Sequence, residues 1–199
     1  MTPKKFYTLI IVLVFTAVLG RFLIKTPVSV FTWTHIPTVV VDPGHGKYDP
    51  GVVHSESGVQ EGPINLSVAY KLKDLLTQEK MRVLLTRDKT TQELKSNRQE
   101  LERRVKVATD ARADIYVSLH VNQFPDPQYF GAQCFYYPLN PGSEKLARLI
   151  QEELKAIEPT NTREALPKDL LVLRECSMPS VVVEMGFISH PGDRAKLQD

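Results

Sequence analysis

The sequence predicts an α/β domain built on a mostly parallel, twisted sheet of about six strands flanked by helices. Two observations predict it. Residues 38–41 (T-V-V-V), 114–119 (D-I-Y-V-S-L) and 180–183 (S-V-V-V) are short, largely β-branched runs, as expected of strands buried on both faces. Stretches with apolar residues at helical spacing lie between them, and strands alternating with helices are the pattern of a wound sheet.

Taken in order, Val39, Val40 and Val41 form the first strand. Asp42-Pro43-Gly44 stops it, because proline lacks a ladder donor and glycine permits an abrupt turn. The loop 42–62 is rich in glycine, yet it contains neither G-x-G-x-x-G nor G-x-x-x-x-G-K-[ST], so it carries no phosphate-binding fingerprint. Pro63 suits a first helical turn, and Ile64, Val68, Leu72, Leu75 and Leu76 follow at helical spacing. Residues 81–86 (M-R-V-L-L-T) are the second strand. A helix follows from about Ser96, where Ser96 and Gln99 are spaced as a capping box. The strand 114–119 comes next, then a turn-rich loop through Pro125, Asp126 and Pro127, then a strand at 132–137. Residues 143–157 read as an amphipathic helix through Leu146, Leu149, Ile150, Leu154 and Ile157. The last two strands are expected at 170–173 and 181–183, and the short connection between them implies at least one antiparallel neighbour.

Ahead of this domain, Lys4 and Lys5 precede an apolar run over residues 6–20, followed by Arg21, Phe22, Leu23 and Ile24. A basic flank before a short apolar core reads as an export signal or an uncleaved anchor. The absence of a clean small-x-small site favours the anchor, with the lysines cytoplasmic and later residues outside. Residues 26–37 form a proline-bounded linker, which leaves 38–199 as the folded domain that carries whatever chemistry the chain performs. The chain carries 25 Lys and Arg against 23 Asp and Glu, and residues 1–25 hold four of the basic groups and no acid. The remainder, 21 basic against 23 acidic, gives no basic stripe and no case for nucleic acid. Cys134 and Cys176 have neither zinc-finger nor redox-motif spacing and are read as buried small hydrophobes, with nothing to place them in reach of a disulfide.

The chemistry lies at the strand ends. The first strand delivers His45, the third His120 and the last Glu184, all to the carboxyl edge where open α/β sheets place their sites. Glu61 stands directly before the first helix, where a capping role and a ligand role are equally supported. His45, Glu61 and His120 compose a His₂Glu set of the kind that holds catalytic zinc with one position open. Glu184 is the candidate base that takes a proton from the attacking water and passes it to the leaving nitrogen; its structural alternative is a buried carboxylate paired with Arg87 or Arg174. His35 is read as a surface histidine, His54 ranks second to His45, and His190 is read as a turn residue.

These residues sit in motifs that resemble a known family. D-P-G-H-G (42–46), Gln60-Glu61, T-R-D (86–88), R-V-K-V-A (104–108), A-D-I-Y-V-S-L-H-V-N (113–122) and M-P-S-V-V-V-E-M-G-F-I-S (178–189) resemble, in order, the zinc-dependent N-acetylmuramoyl-L-alanine amidases of the amidase 3 type. G-A-Q-C-F-Y-Y (131–137) is similar to the spore-cortex, germination-specific members. The resemblance implies a zinc-exopeptidase-like fold, Zn2+ on His45, Glu61 and His120, and Glu184 as catalytic base. It implies peptidoglycan as the substrate, cleaved between N-acetylmuramic acid and L-alanine, in an extracytoplasmic setting. Asn122 and Arg174 are expected to contact glycan or peptide, against the alternatives of a turn asparagine and an ion-paired arginine. Lys47, Gly62 and His190 depart from the usual Gly, Lys and Asn of the family. The region 122–171 is too short for the inhibitory helix of division amidases. A C-terminal helix of the family is expected to be missing after Asp199, which would leave an apolar face of the sheet uncovered. A zinc carboxypeptidase on the stem peptide and a non-catalytic wall-binding module are the competing readings.

Overall fold

The computed structural model describes residues 35–199, so the expected anchor at 1–25 and most of the linker lie outside the described residues. Six strands form one sheet: β1 (Thr38–Pro43), β2 (Arg82–Leu85), β3 (Ile115–Asn122), β4 (Gln133–Tyr136), β5 (Leu166–Pro167) and β6 (Ser180–Phe187). Their spatial order is β2-β1-β3-β6-β4-β5. The β2–β1, β1–β3, β3–β6 and β4–β5 pairs are parallel, and β4 runs antiparallel to β6. The three β-branched runs are the three adjacent strands β1, β3 and β6 at the middle of the sheet, which is why they show no polar face.

Alternation along β1 divides the core. Val39 and Val41 face α1 (Glu61–Gln78) and α3 (Pro141–Ile157), packing with Leu72, Leu76, Leu146 and Ile150. Val40 faces the other way, with Tyr116 and Val182, toward α2 (Asn97–Asp110) and the single turn α4 (Leu171–Arg174). Ser96 caps α2 as its spacing implies, accepting from Gln99 N, and Asn140 caps α3 through Ser143 N. Cys134 and Cys176 are buried free thiols assigned to the two opposite clusters, so no disulfide joins them.

The structure corrects the reading of residues 170–173 as a strand. They form α4, whose turn closes by Leu173 N–H and Arg174 N–H donating to Leu170 O at 3.0 and 2.9 Å. Three leucines and a single valine suit a helical turn as well as a strand, and Leu173 and Val172 bury themselves either way. The sixth strand is instead Leu166–Pro167, two residues paired to the end of β4. The antiparallel neighbour exists, but it is β4. Glu184 lies inside β6, since pairing continues to Phe187.

The chain closes on α5 (Pro191–Leu197), with Pro191 in its first turn and the His190 ring accepting from Asp193 N at 3.1 Å. His190 is therefore a helix cap. Between α1, α3 and α5 lies a cavity of about 120 Å³ whose apolar lining comes from Val68, Leu154, Ile157, Met185 and Leu197, with Glu158, Asn161, Asp193 and Lys196 also facing it. Among the described residues no helix is long and apolar enough to cross a membrane.

Candidate metal centre

His45 stands just past β1, two residues beyond Pro43, and adopts a left-handed backbone with φ of 59°. Such a conformation is uncommon for a non-glycine residue. Arg104 Nη2–H holds the His45 carbonyl at 2.7 Å. Asp49 Oδ2 lies 2.8 Å from His45 Nδ1, a bond that sets the tautomer with the proton on Nδ1 and leaves Nε2 for a ligand.

Glu61 opens α1 and is 1% exposed. Val121 N–H and Asn65 Nδ2–H donate to its Oε1 at 2.9 and 3.2 Å, and Val52 N–H donates to its Oε2 at 3.0 Å. Asn65, one turn further along α1, also donates to Gly44 O and so ties the ligand loop to the helix. Both histidines converge on the same carboxylate oxygen: His45 Nε2 at 3.3 Å and His120 Nδ1 at 3.1 Å from Glu61 Oε1. The two rings meet edge to face with centroids 4.9 Å apart.

The donor atoms of His45, Glu61 and His120 all lie within 4.8 Å of one another. Electrostatics favour a cation among them. Burial opposes charge on Glu61 and on His45, but hydrogen bonds from His120, His45 and Val52 N–H hold the Glu61 carboxyl far below its ordinary range, and Glu61 together with Asp49 raises His45 above its ordinary 6.5. A buried carboxylate faced by two imidazoles, with no Cβ at Gly44 or Gly51 to fill the space, fits a divalent ion of the N/O-ligand class. An added Cβ at Gly51 would stand 2.4 Å from Glu61 Oε2 and 2.8 Å from the His45 ring.

Glu184 is the direct register partner of His120 across the β3–β6 ladder. Its Oε2 is buried with no hydrogen-bond partner; among the described residues only Asn65 Oδ1 shares that state. Burial raises the Glu184 carboxyl above its ordinary 4.5. Neither arginine considered from the sequence pairs with it. Arg87 is committed to Pro43 O, Gly44 O and Gly62 O at 2.8–3.0 Å. Arg174 is exposed at the end of α4 and pairs with Asp169 and, at 3.4 Å, with Glu175. Asn122 closes β3 two residues past His120, beside a register irregularity, and its Oδ1 accepts from Gln123 N. His54 bonds to Ser57 within a turn, and His35 pairs with Asp114; neither joins the cluster.

Sequence reasoning missed the support beneath this cluster. Asp42, read only as a strand terminator, is 1% exposed and accepts from Thr86 Oγ1, Tyr116 OH, Ser118 Oγ and Arg104 Nη1 at 2.5–3.1 Å. Arg104 joins that hub to Pro43 O, His45 O and Glu100. Asp49 carried one usable signal, an acid four residues after a candidate ligand. A cleft of about 190 Å³ opens from His45 and His120 toward Leu94, Asn97 and Val172.

Comparison with known proteins places these observations in a family. The profile of the N-acetylmuramoyl-L-alanine amidase family, amidase 3, matches residues 39–199. The germination-specific N-acetylmuramoyl-L-alanine amidase of Bacillus subtilis is 30% identical over 168 residues, covering 80% of this chain and 70% of that protein. An uncharacterized cell wall amidase of Bacillus anthracis is 35% identical, but this chain spans only 31% of its length. Among solved structures, the CwlD amidase of Clostridioides difficile in complex with the GerS lipoprotein superposes with a TM-score of 0.75 at 35% identity, covering 82% of this chain and 88% of that one. The catalytic domain of CwlV, an N-acetylmuramoyl-L-alanine amidase of Bacillus (Paenibacillus) polymyxa, gives 0.69 at 31% identity, with 82% and 88% covered.

Proposed function

We propose that this chain, which belongs to the N-acetylmuramoyl-L-alanine amidase family, is a metal-dependent peptidoglycan hydrolase that cleaves the amide between N-acetylmuramic acid and the L-alanine of the stem peptide. The observation that carries the mechanism is the unpartnered, buried Oε2 of Glu184 on the strand beside His120. A buried carboxylate oxygen without a donor is costly unless a reaction partner uses it.

His45, Glu61 and His120 would hold the ion, and zinc suits a two-nitrogen, one-carboxylate set. When bound, zinc polarises a carbonyl oxygen and lowers the pKa of water toward roughly 7. Asp49 orients His45, Val121 N–H and Val52 N–H orient Glu61, and the β3 backbone orients His120. Glu184 accepts the proton of the attacking water and delivers it to the departing L-alanine nitrogen. A carboxyl raised by burial suits both halves of that transfer, since it holds a proton more readily than an exposed acid and still releases it to an amine. Asn122 and Arg174 are assigned to polar contacts with glycan or peptide, for which Arg174 would exchange its partners Asp169 and Glu175.

The wall substrate and the family support an extracytoplasmic location. Residues 1–25 are proposed as the membrane anchor, and the lipoprotein seen with the Clostridioides difficile relative supports looking for an extracytoplasmic protein partner. The test is mass spectrometry of products from peptidoglycan incubated with zinc-loaded and zinc-free protein, with Glu184→Gln in parallel. Stem peptides with a free L-alanine amine, released only with zinc and Glu184, are expected. Single terminal amino acids would indicate a carboxypeptidase instead. Absence of any product from folded, zinc-loaded protein would return the chain to the class of wall-binding modules.

A further inference from the structure

Lys168 follows β5, and its backbone N–H donates to Tyr136 O at 2.8 Å, which fixes the base of the side chain against β4. Its ammonium lies 4.7 Å from the centroid of the Phe135 ring. Phe135 pairs with Val182 and Gln133 pairs with Glu184, so the Phe135 and Glu184 side chains share one face of the sheet, two residues apart along the ladder. Two residues of extended strand span about 7 Å. Lys168 thus stands on the face that carries His120 and Glu184, on the far side of Glu184 from the triad.

The acids nearest Lys168 in sequence are taken. Asp169 pairs with Arg174, and Glu164 pairs with Lys155 at 2.5 Å. Among the described residues no carboxylate forms an ion pair with Lys168; the aromatic ring is its contact. Its charge reaches the site, since it is one of the groups that oppose the burial-driven rise of Glu184.

We propose that Lys168 forms an anion subsite that binds a carboxylate of the stem peptide, one or two residues beyond the L-alanine. This rests on the amidase reading given above. In that reading Glu184 delivers its proton to the leaving nitrogen, so the peptide departs from the Glu184 side of the triad and runs over β4 toward β5. At roughly 3.3–3.6 Å per extended residue, the distance from Glu184 to the Phe135 position spans about two residues of peptide. The glycan half of the substrate then lies on the other side, toward the cleft at Leu94 and Asn97.

The experiment uses the full, zinc-loaded chain and two muramyl peptides that differ only in whether the carboxylate of the second residue is free or amidated. Wild-type protein is expected to favour the free acid by about tenfold in kcat/KM. Lys168→Ala and Lys168→Gln should abolish that preference, and Lys168→Arg should keep most of it. A preference that survives in Lys168→Ala, or that is absent in the wild type, overturns the proposal. Hydrolysis of neither peptide by the wild type would refute the amidase reading by itself. Calorimetric binding of the same two peptides then decides the subsite independently: a binding preference lost in Lys168→Ala supports it, and equal binding overturns it. Lys168 is exposed, so its variants are expected to fold, which a thermal melt checks.

Discussion

Placing a methyl group at Gly44 tests the assignment of His120 to the metal. A Cβ built there would stand 2.3 Å from both Cε1 and Nε2 of the His120 ring, about 1 Å short of ordinary contact at 3.4 Å. The loop cannot retreat cheaply. Gly44 N–H donates to Leu119 O at 2.9 Å, and its carbonyl accepts from Arg87 at 2.9 Å and from Asn65 at 3.2 Å. The ring must therefore yield, by several times the ~0.2 Å that metal–ligand distances tolerate. Overpacking of this kind costs about 1–3 kcal/mol. For a chain of this size that lowers Tm by roughly 2–12 °C, at ~2–4 °C per kcal/mol, without unfolding it. Zinc affinity, measured by competition with a chromophoric chelator, should fall by on the order of 100-fold, the upper end for disturbing a ligand's orientation. Gly62→Ala is the control, because its Cβ meets nothing closer than 3.4 Å and should leave zinc binding within about twofold. Wild-type affinity in a folded Gly44→Ala protein would refute the placement of His120 in the ligand set.

Asp49→Ala removes the bond that sets the His45 tautomer and should weaken zinc by about 10–100-fold while circular dichroism stays native. Glu184→Gln should keep zinc stoichiometry by elemental analysis and lose turnover by at least about 10²-fold, the contribution of a positioned base. Burial tends to raise the Asp42 carboxyl, but Arg104, Ser118, Thr86 and Tyr116 hold it at about 2 against an ordinary 3.8. Its ionised form thus contributes stability that is present above pH 4 and lost as pH falls through 2, on the order of 2 kcal/mol. Asp42→Asn should destabilise by roughly 3–5 kcal/mol, because it leaves Arg104 buried without its counter-charge, and should flatten acid unfolding in that window. Burial raises both thiols, Cys176 to about 12 and Cys134 further still, so a thiol reagent should label neither in native protein and both in denaturant.

The three strands that carry the site were legible because Val39–Val41, the 114–119 run and Val181–Val183 admit no other burial pattern. The residues they present followed from position alone. Residues 170–173 were not legible: a leucine-rich tetrapeptide buries itself as a turn or as a strand, and only its packing against α2 and β6 decides between them. Asp42 was opaque for a different reason. An aspartate before proline and glycine looks like a turn former, and its four donors come from residues 44 to 76 positions away. Asp49 and Asn65 lay within one helical turn or one short loop of a ligand, close enough to notice, but their type alone does not separate support from surface.

The pairing of His120 with Glu184 in neighbouring strands fixes the spacing between one metal-competent imidazole and the proposed proton carrier through backbone ladder bonds. The segment joining β3 to β4 does not contribute to that spacing, whereas the glycine-rich stretch before α1 carries His45 and Asp49 and belongs to the site. The β3–β4 segment can therefore be exchanged, lengthened or reshaped to suit a different wall polymer while the spacing between His120 and Glu184 stays constant. A designer who wants new specificity on this scaffold should graft there and leave the ladder untouched.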